Sequence, residues 1–216
     1  MADFAVQDGQ TFLFQGDSIT DAGRRDAAAP YGNGYAGLVR EIATALAPDR
    51  QITFVNKGIG GNTTGDLKER WDDDTIRLQP DWMSLLIGIN DLHRHLFNPD
   101  PGSKISPAQY RDNYEWLLQR VTSETPAQLI LLDPFYITLS SRDTNRKLVL
   151  DILPEYIQVV HEMSAKYGTK LVKLQEIFQQ HLTFREADEF CPEPVHPNRG
   201  GHLVIALEMM KELGAL

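Results

Sequence analysis

A single cysteine, Cys191, occurs in the 216 residues, which excludes an intramolecular disulfide and a cysteine-built metal cluster. No apolar run approaches the ~20 residues that a bilayer-spanning helix requires; the longest, 82–89 and 128–132, are of strand length. A basic run is missing too. Lys and Arg number 21 against 30 Asp and Glu, for a net charge of −9. That balance argues against nucleic-acid and anionic-membrane partners, whose phosphates call for Lys and Arg, and for a small or neutral partner. Met1-Ala2-Asp3-Phe4 lacks the basic head and apolar stretch of a secretory leader, so a cytoplasmic protein is expected. Internal repeats, low-complexity tracts and interdomain linkers are also absent, and one domain over 1–216 is expected. With 42% hydrophobic residues, a chain of this length buries roughly 70% of its unfolded surface and needs no covalent staple.

What is present is an alternation of short apolar runs with longer helical patterns. Strands are predicted over 11–15, 51–56, 82–88, 128–133 and 169–174. Each is near-continuously apolar, as in parallel strands covered on both faces. Helices are predicted over 34–47, 64–79, 107–124, 145–167 and 198–213; Leu148, Ile152, Tyr156, Val159, Val160 and Met163 mark the apolar face of one. The stretch 97–106 is read as a surface loop, and Asp72-Asp73-Asp74 as the solvated face of a helix. The pattern predicts an α/β fold: a flavodoxin-like three-layer α/β/α sandwich around a five-stranded parallel sheet.

In such sheets ligands bind beyond the carboxyl ends of the strands, so the residues that follow each strand come under scrutiny. They are Gly16-Asp17-Ser18-Ile19-Thr20, Gly60-Gly61-Asn62-Thr63, Gly88-Ile89-Asn90-Asp91 and, before the last helix, Glu193-Pro194-Val195-His196-Pro197. Taken singly, each has a plain reading as a helix cap or turn. Together they supply the parts of a serine acyl-transfer site. Ser18 is a hydroxyl that a base must activate. His196 is the one histidine with a carboxylate, Glu193, three residues before it in a Pro-stiffened turn. That carboxylate can hold the imidazole tautomer that leaves the other nitrogen free to take the serine proton. The backbone N–H groups of Ser18 and Gly61 and the amide of Asn90 are candidate oxyanion donors.

The Gly-x-Ser-x-Gly elbow of the α/β-hydrolases is absent. The four segments, in this order, resemble instead the signatures of the SGNH (GDSL) hydrolase superfamily. The bacterial acetylxylan esterases of that superfamily are more similar still, through the 16–24 block, Val55-Asn56-Lys57-Gly58-Ile59, Asp66-Leu67-Lys68-Glu69-Arg70-Trp71, Pro80-Asp81-Trp82, Pro134-Phe135-Tyr136-Ile137 and Gly201-His202. The resemblance implies Ser18 as nucleophile, His196 as base, and Gly61 and Asn90 as oxyanion donors. It also implies no metal or organic cofactor, a cytoplasmic homo-oligomer, and an acetylated sugar such as a xylo-oligosaccharide as substrate. Two other readings stand beside this one: a lysophospholipase or thioesterase of the same chemistry, and a catalytically decayed sugar-binding protein. Only Glu193 suggests the latter, because the family's usual residue there is Asp. The extra methylene shifts the carboxylate by about 1.5 Å, so either Glu193 or a main-chain carbonyl near Cys191 or Pro192 could orient His196.

The remaining polar residues take blander readings. Asp17 and Asp21 are read as organising their loop through backbone N–H groups, and Asp17, Arg94 and His95 as possible rim of the substrate pocket. Asp91, His93 and His95 lack the further ligands of a metal site. His202, Trp71 and Trp82 are read as packed structural residues, and Cys191 as no nucleophile.

Overall fold

The computed structural model describes residues 4–139 and 143–216; Met1-Ala2-Asp3, read above for a leader, lies outside them. Strands β1 (Thr11–Gly16), β2 (Thr53–Asn56), β3 (Trp82–Leu86), β4 (Gln128–Leu132) and β5 (Lys170–Val172) form one sheet in the order β2-β1-β3-β4-β5. All four pairings are parallel. Every residue of β3 is buried, whereas the edge strands β2 and β5 are only partly covered, which matches the apolar density of their sequences. Eight helices alternate with the strands in the described residues: α1 (Ser18–Asp21), α2 (Tyr35–Leu46), α3 (Thr64–Asp74), α4 (Ile89–Phe97), α5 (Pro107–Glu124), α6 (Thr144–Tyr167), α7 (Leu174–His181) and α8 (Arg199–Glu212). Helix α2 packs on α8, while α3, α5 and α6 pack in succession, giving the two outer layers of a flavodoxin-like sandwich. None of these helices is long and apolar enough to cross a membrane.

Several boundaries differ from the sequence reading, each for a local reason. The helix predicted over 64–79 stops at Asp74, because Gln15 on β1 donates to the Asp74 carbonyl at 2.9 Å and the Thr75 hydroxyl at 2.8 Å. A 3-10 turn, Ile76–Leu78, follows. The last strand is shorter than predicted, since Leu174 already opens α7. Leu148 is off the apolar face of α6 at 42% exposed; Val149 and Leu153 take the buried positions with Tyr156, Val159, Val160 and Met163. Of the acidic run, Asp72 and Asp73 are solvated, but Asp74 is half-buried between Lys57 and Arg70. Trp71 and Trp82 are core residues.

Candidate active site

The carboxyl ends of β1, β2 and β3 bring Ser18, Gly61 and Asn90 to one edge of the sheet. Gly16 ends β1 where the chain passes hard against its neighbours: a Cβ there would lie 2.3 Å from the Thr20 hydroxyl and 2.4 Å from the Leu86 carbonyl. Asp17 then caps the single turn α1, accepting from the Ile19 N–H at 3.0 Å. Ser18 is the first residue of that turn, where a backbone N–H has no intrahelical acceptor. Gly61 has a φ of +80°, a left-handed conformation that glycine adopts without strain. Its neighbour Gly60 lies against the nucleophile loop, so that a Cβ there would stand 3.8 Å from Ser18 Cβ. Among the described residues, neither the Ser18 N–H nor the Gly61 N–H donates to another group of the chain. Asn90, in the first turn of α4, donates from Nδ2 to the Asn62 carbonyl at 3.0 Å. A primary amide has two N–H donors, so this bond fixes the side chain and leaves one N–H to point elsewhere.

The other half of the site comes from the turn before α8. Ser18 Oγ lies 2.9 Å from His196 Nε2, and His196 Nδ1 lies 2.5 Å from Glu193 Oε1. It is the Glu193 carboxylate, not a main-chain carbonyl of Cys191 or Pro192, that meets the imidazole. The same carboxylate accepts from the Val195 N–H at 2.9 Å and the His196 N–H at 2.8 Å. Burial works against its ionisation, but these two backbone bonds and the imidazole outweigh it and hold Glu193 below the usual carboxylate range. An ionised carboxylate only accepts, so Nδ1 carries the imidazole proton and Nε2 accepts from the Ser18 hydroxyl. Cys191 stands beside this turn with its thiol buried, and burial, followed by the Glu193 charge, pushes its pKa up to about 12. A thiol so disposed is inert as a nucleophile.

The rim differs from the sequence reading. Asp17 is 1% exposed, so it lies beneath the nucleophile and not on a substrate rim; burial, with Asp91 as a neighbouring charge, pushes its pKa up to about 7. Arg94 does reach the rim, 40% exposed and bonded to Asp66 at 3.0 Å. His95, partly buried and with its Nδ1 enclosed, is not among the residues that line the space beside Asn90. His93 takes the expected place. With Gly61, Asn90, Arg94 and Phe97 it lines a trough of about 390 Å³, because positions 90, 93, 94 and 97 share one face of α4. Counting i, i+3, i+4 and i+7 from Asn90 would have found it. A second cavity of about 370 Å³ is lined by Ser18, Asn33, His196 and Arg199 among others.

Asp91 is buried and committed to Thr64, accepting from its N–H at 3.1 Å and its hydroxyl at 2.5 Å. No group of three or more His, Cys, Asp or Glu among the described residues is placed to hold a metal ion. His202 is buried on α8, where Nδ1 accepts from the Tyr35 N–H at 3.2 Å; burial, and then the nearby His196, pull its pKa down to about 4.

Residues 14–204 match the GDSL-like Lipase/Acylhydrolase family. An acetylxylan esterase of Geobacillus stearothermophilus is 35% identical over 217 residues, covering 97% of this chain and 96% of that one. The crystal structure of Axe2, an acetylxylan esterase of that organism, superposes with a TM-score of 0.87 at 32% identity, over 97% of this chain and 96% of that chain. LAE5, an alpha/beta hydrolase enzyme from the metagenome of Lake Arreo, gives 0.88 at 29% identity over 99% of both. Axe2 has also been solved as catalytic mutants at a serine, an aspartate and a histidine, the aspartate three positions before the histidine. The chain therefore belongs to the GDSL-like lipase/acylhydrolase family and is a serine ester hydrolase.

Proposed function

We propose that this enzyme removes O-acetyl groups from xylo-oligosaccharides or related sugars, with Ser18 as nucleophile, His196 as general base and acid, and Glu193 as the carboxylate that orients it. Ser18 Oγ attacks the ester carbonyl while its proton passes to His196 Nε2, 2.9 Å away. The Nδ1–H bond to Glu193 stabilises the imidazolium that results. The oxyanion of the tetrahedral intermediate takes hydrogen bonds from the Ser18 N–H, the Gly61 N–H and the free N–H of Asn90. Collapse of that intermediate releases the sugar hydroxyl, protonated by His196, and leaves Ser18 acetylated. Water, deprotonated by the same imidazole, then frees acetate.

One observation carries the reading: serine, imidazole and carboxylate are in hydrogen-bonded sequence at the edge of the sheet where the unpaired N–H groups also lie. The acetylated-sugar substrate rests on the similarity to Geobacillus acetylxylan esterase. Open cavities, one lined by Ser18 and His196 and the other by Gly61 and Asn90, suit a small acyl group on a bulky polar alcohol. A cytoplasmic, self-associating enzyme belongs to the same proposal and rests on the family resemblance. Acetate release from acetylated xylo-oligosaccharides tests the substrate. Ser18→Ala should lower it by several orders of magnitude, as loss of one triad member does, without lowering the melting temperature. Faster hydrolysis of octanoyl than of acetyl esters would reassign the enzyme to long acyl chains.

A further inference from the structure

Arg70, on α3, lies behind the loop that carries Gly61. Its Nε donates to the Asn62 side-chain oxygen at 2.8 Å, its Nη1 to the Lys57 carbonyl and to Asp74 Oδ2, both at 2.9 Å, and its Nη2 to the Gly16 carbonyl at 3.3 Å. Gly16 is two residues before Ser18, and Lys57 and Asn62 bracket the turn that contains Gly61. Asn62 is itself held at both ends: its side chain takes the Arg70 bond, and its carbonyl takes the Nδ2 of Asn90. One planar guanidinium thus joins the nucleophile strand, the Gly61 turn and, through Asn62, the Asn90 amide. A lysine ammonium is a compact point charge on a flexible stem and does not span acceptors in a fixed fork.

We infer that Arg70 is a positioning residue for ester hydrolysis, which sets Gly61 and Asn90 against Ser18 by way of Asn62. The inference rests on the reading of Gly61 and Asn90 as oxyanion donors. Pre-positioned donors stabilise the oxyanion only where it forms, and displacement by about 1 Å costs on the order of 10²-fold. Loss of the Arg70 clamp therefore falls on kcat.

The test measures kcat, KM and melting temperature on one acetyl ester for Asn90→Ala, Arg70→Lys, Asn62→Ala and Asn62→Asp, together with the Asn62→Ala/Asn90→Ala double variant. Asn62→Ala is the gentler change, since it leaves Arg70 its three other acceptors. Arg70→Lys and Asn62→Ala should each lower kcat roughly ten- to a hundredfold with KM within about twofold. Asn62→Asp keeps the acceptor and should retain most of the wild-type kcat. With Asn90 already truncated, Asn62→Ala should cost less than it does alone, because the part of its effect that runs through the Asn90 amide is then already lost. Losses in the double variant that multiply in full, or lowered melting temperatures with kcat intact, would reduce Arg70 to a structural tie. Unchanged kcat in Asn90→Ala would instead overturn the donor reading and this inference with it. A lowered kcat in Asn90→Ala with full kcat in Arg70→Lys and Asn62→Ala would overturn the role of Arg70 alone.

Discussion

Ser18 and its neighbouring donors stand on loops anchored in the interior, whereas His196 and Glu193 stand on a surface turn tied by its own main chain. Beneath the serine lie the buried carboxylates of Asp17 and Asp91. Nearby, Asn56 donates to the Thr20 and Tyr31 carbonyls and accepts from the Gly58 N–H. The Thr20 and Tyr31 carbonyls, both more than twenty residues from Asn56 in the chain, thus help to fix this half. His196 and Glu193 are 57% and 47% exposed, and Glu193 is held by N–H groups two and three residues ahead of it. A further tie comes from the Ile137 N–H to the Pro194 carbonyl at 2.8 Å. The chemistry accounts for the contrast. Oxyanion donors must be in place before charge develops, which demands a rigid support, whereas an imidazole needs one carboxylate to set its tautomer, and a short local turn supplies it.

The sharpest break in the comparison lies on the exposed half. Glu193→Gln should lower kcat by up to about 10⁴-fold, since a neutral amide neither enforces the tautomer nor stabilises the imidazolium. Glu193→Asp keeps the charge and should retain far more activity. Both variants should melt close to wild type, because the turn is exposed and local. Near-equal rates for the two would remove Glu193 from the mechanism.

On the anchored half, Asn90→Ala should lower kcat by about 10²–10³-fold with little change in KM, the cost of one oxyanion donor. A change confined to KM would make Asn90 a sugar contact.

The smallest effect belongs to the buried floor and appears in stability. Well below its unfolded value of 3.8, Asp17 is neutral in both the folded and the unfolded chain. As pH rises, the unfolded chain loses this proton first, so the folded state is progressively disfavoured until the folded value of about 7 is passed. Asp91, also pushed up to about 7 by burial, acts in the same direction. His202, pulled down to about 4, acts in the opposite one, losing stability as pH falls. Comparing Asp17→Asn with wild type removes the Asp17 proton from this balance. The melting temperature of the variant relative to wild type should rise by a few degrees from pH 5 to pH 8. A flat difference would mean that Asp17 is ionised or neutral in both states alike.

Legibility in the sequence divides along the same line. The central strands were readable because burial on both faces forces unbroken apolar runs, and the ends of those strands then pointed to Ser18, Gly61 and Asn90. The triad spacing was readable because Glu193 and His196 are close in sequence. What escaped depends on contacts between distant segments or on helical phase. Helix α4 opens at a glycine with φ +136° and reads as a turn; without its phase, the sequence points to His95 for the rim instead of His93. Asp17 reads as a rim residue in the sequence because its burial depends on how β1 and β3 bring the loops together. Nothing local marks Arg70, whose acceptors lie eight, thirteen and fifty-four positions away at Asn62, Lys57 and Gly16.

The acetyl-enzyme on Ser18 is open to direct observation. Wild-type enzyme quenched in acid during turnover of an acetylated xylo-oligosaccharide can be digested and its peptides weighed. An added acetyl mass is expected on the peptide that contains Ser18, and none on the same peptide of Ser18→Ala. Turnover with no acetylated peptide under quench conditions that preserve serine esters, or an acetyl group carried by Cys191 or another residue in place of Ser18, would contradict the mechanism.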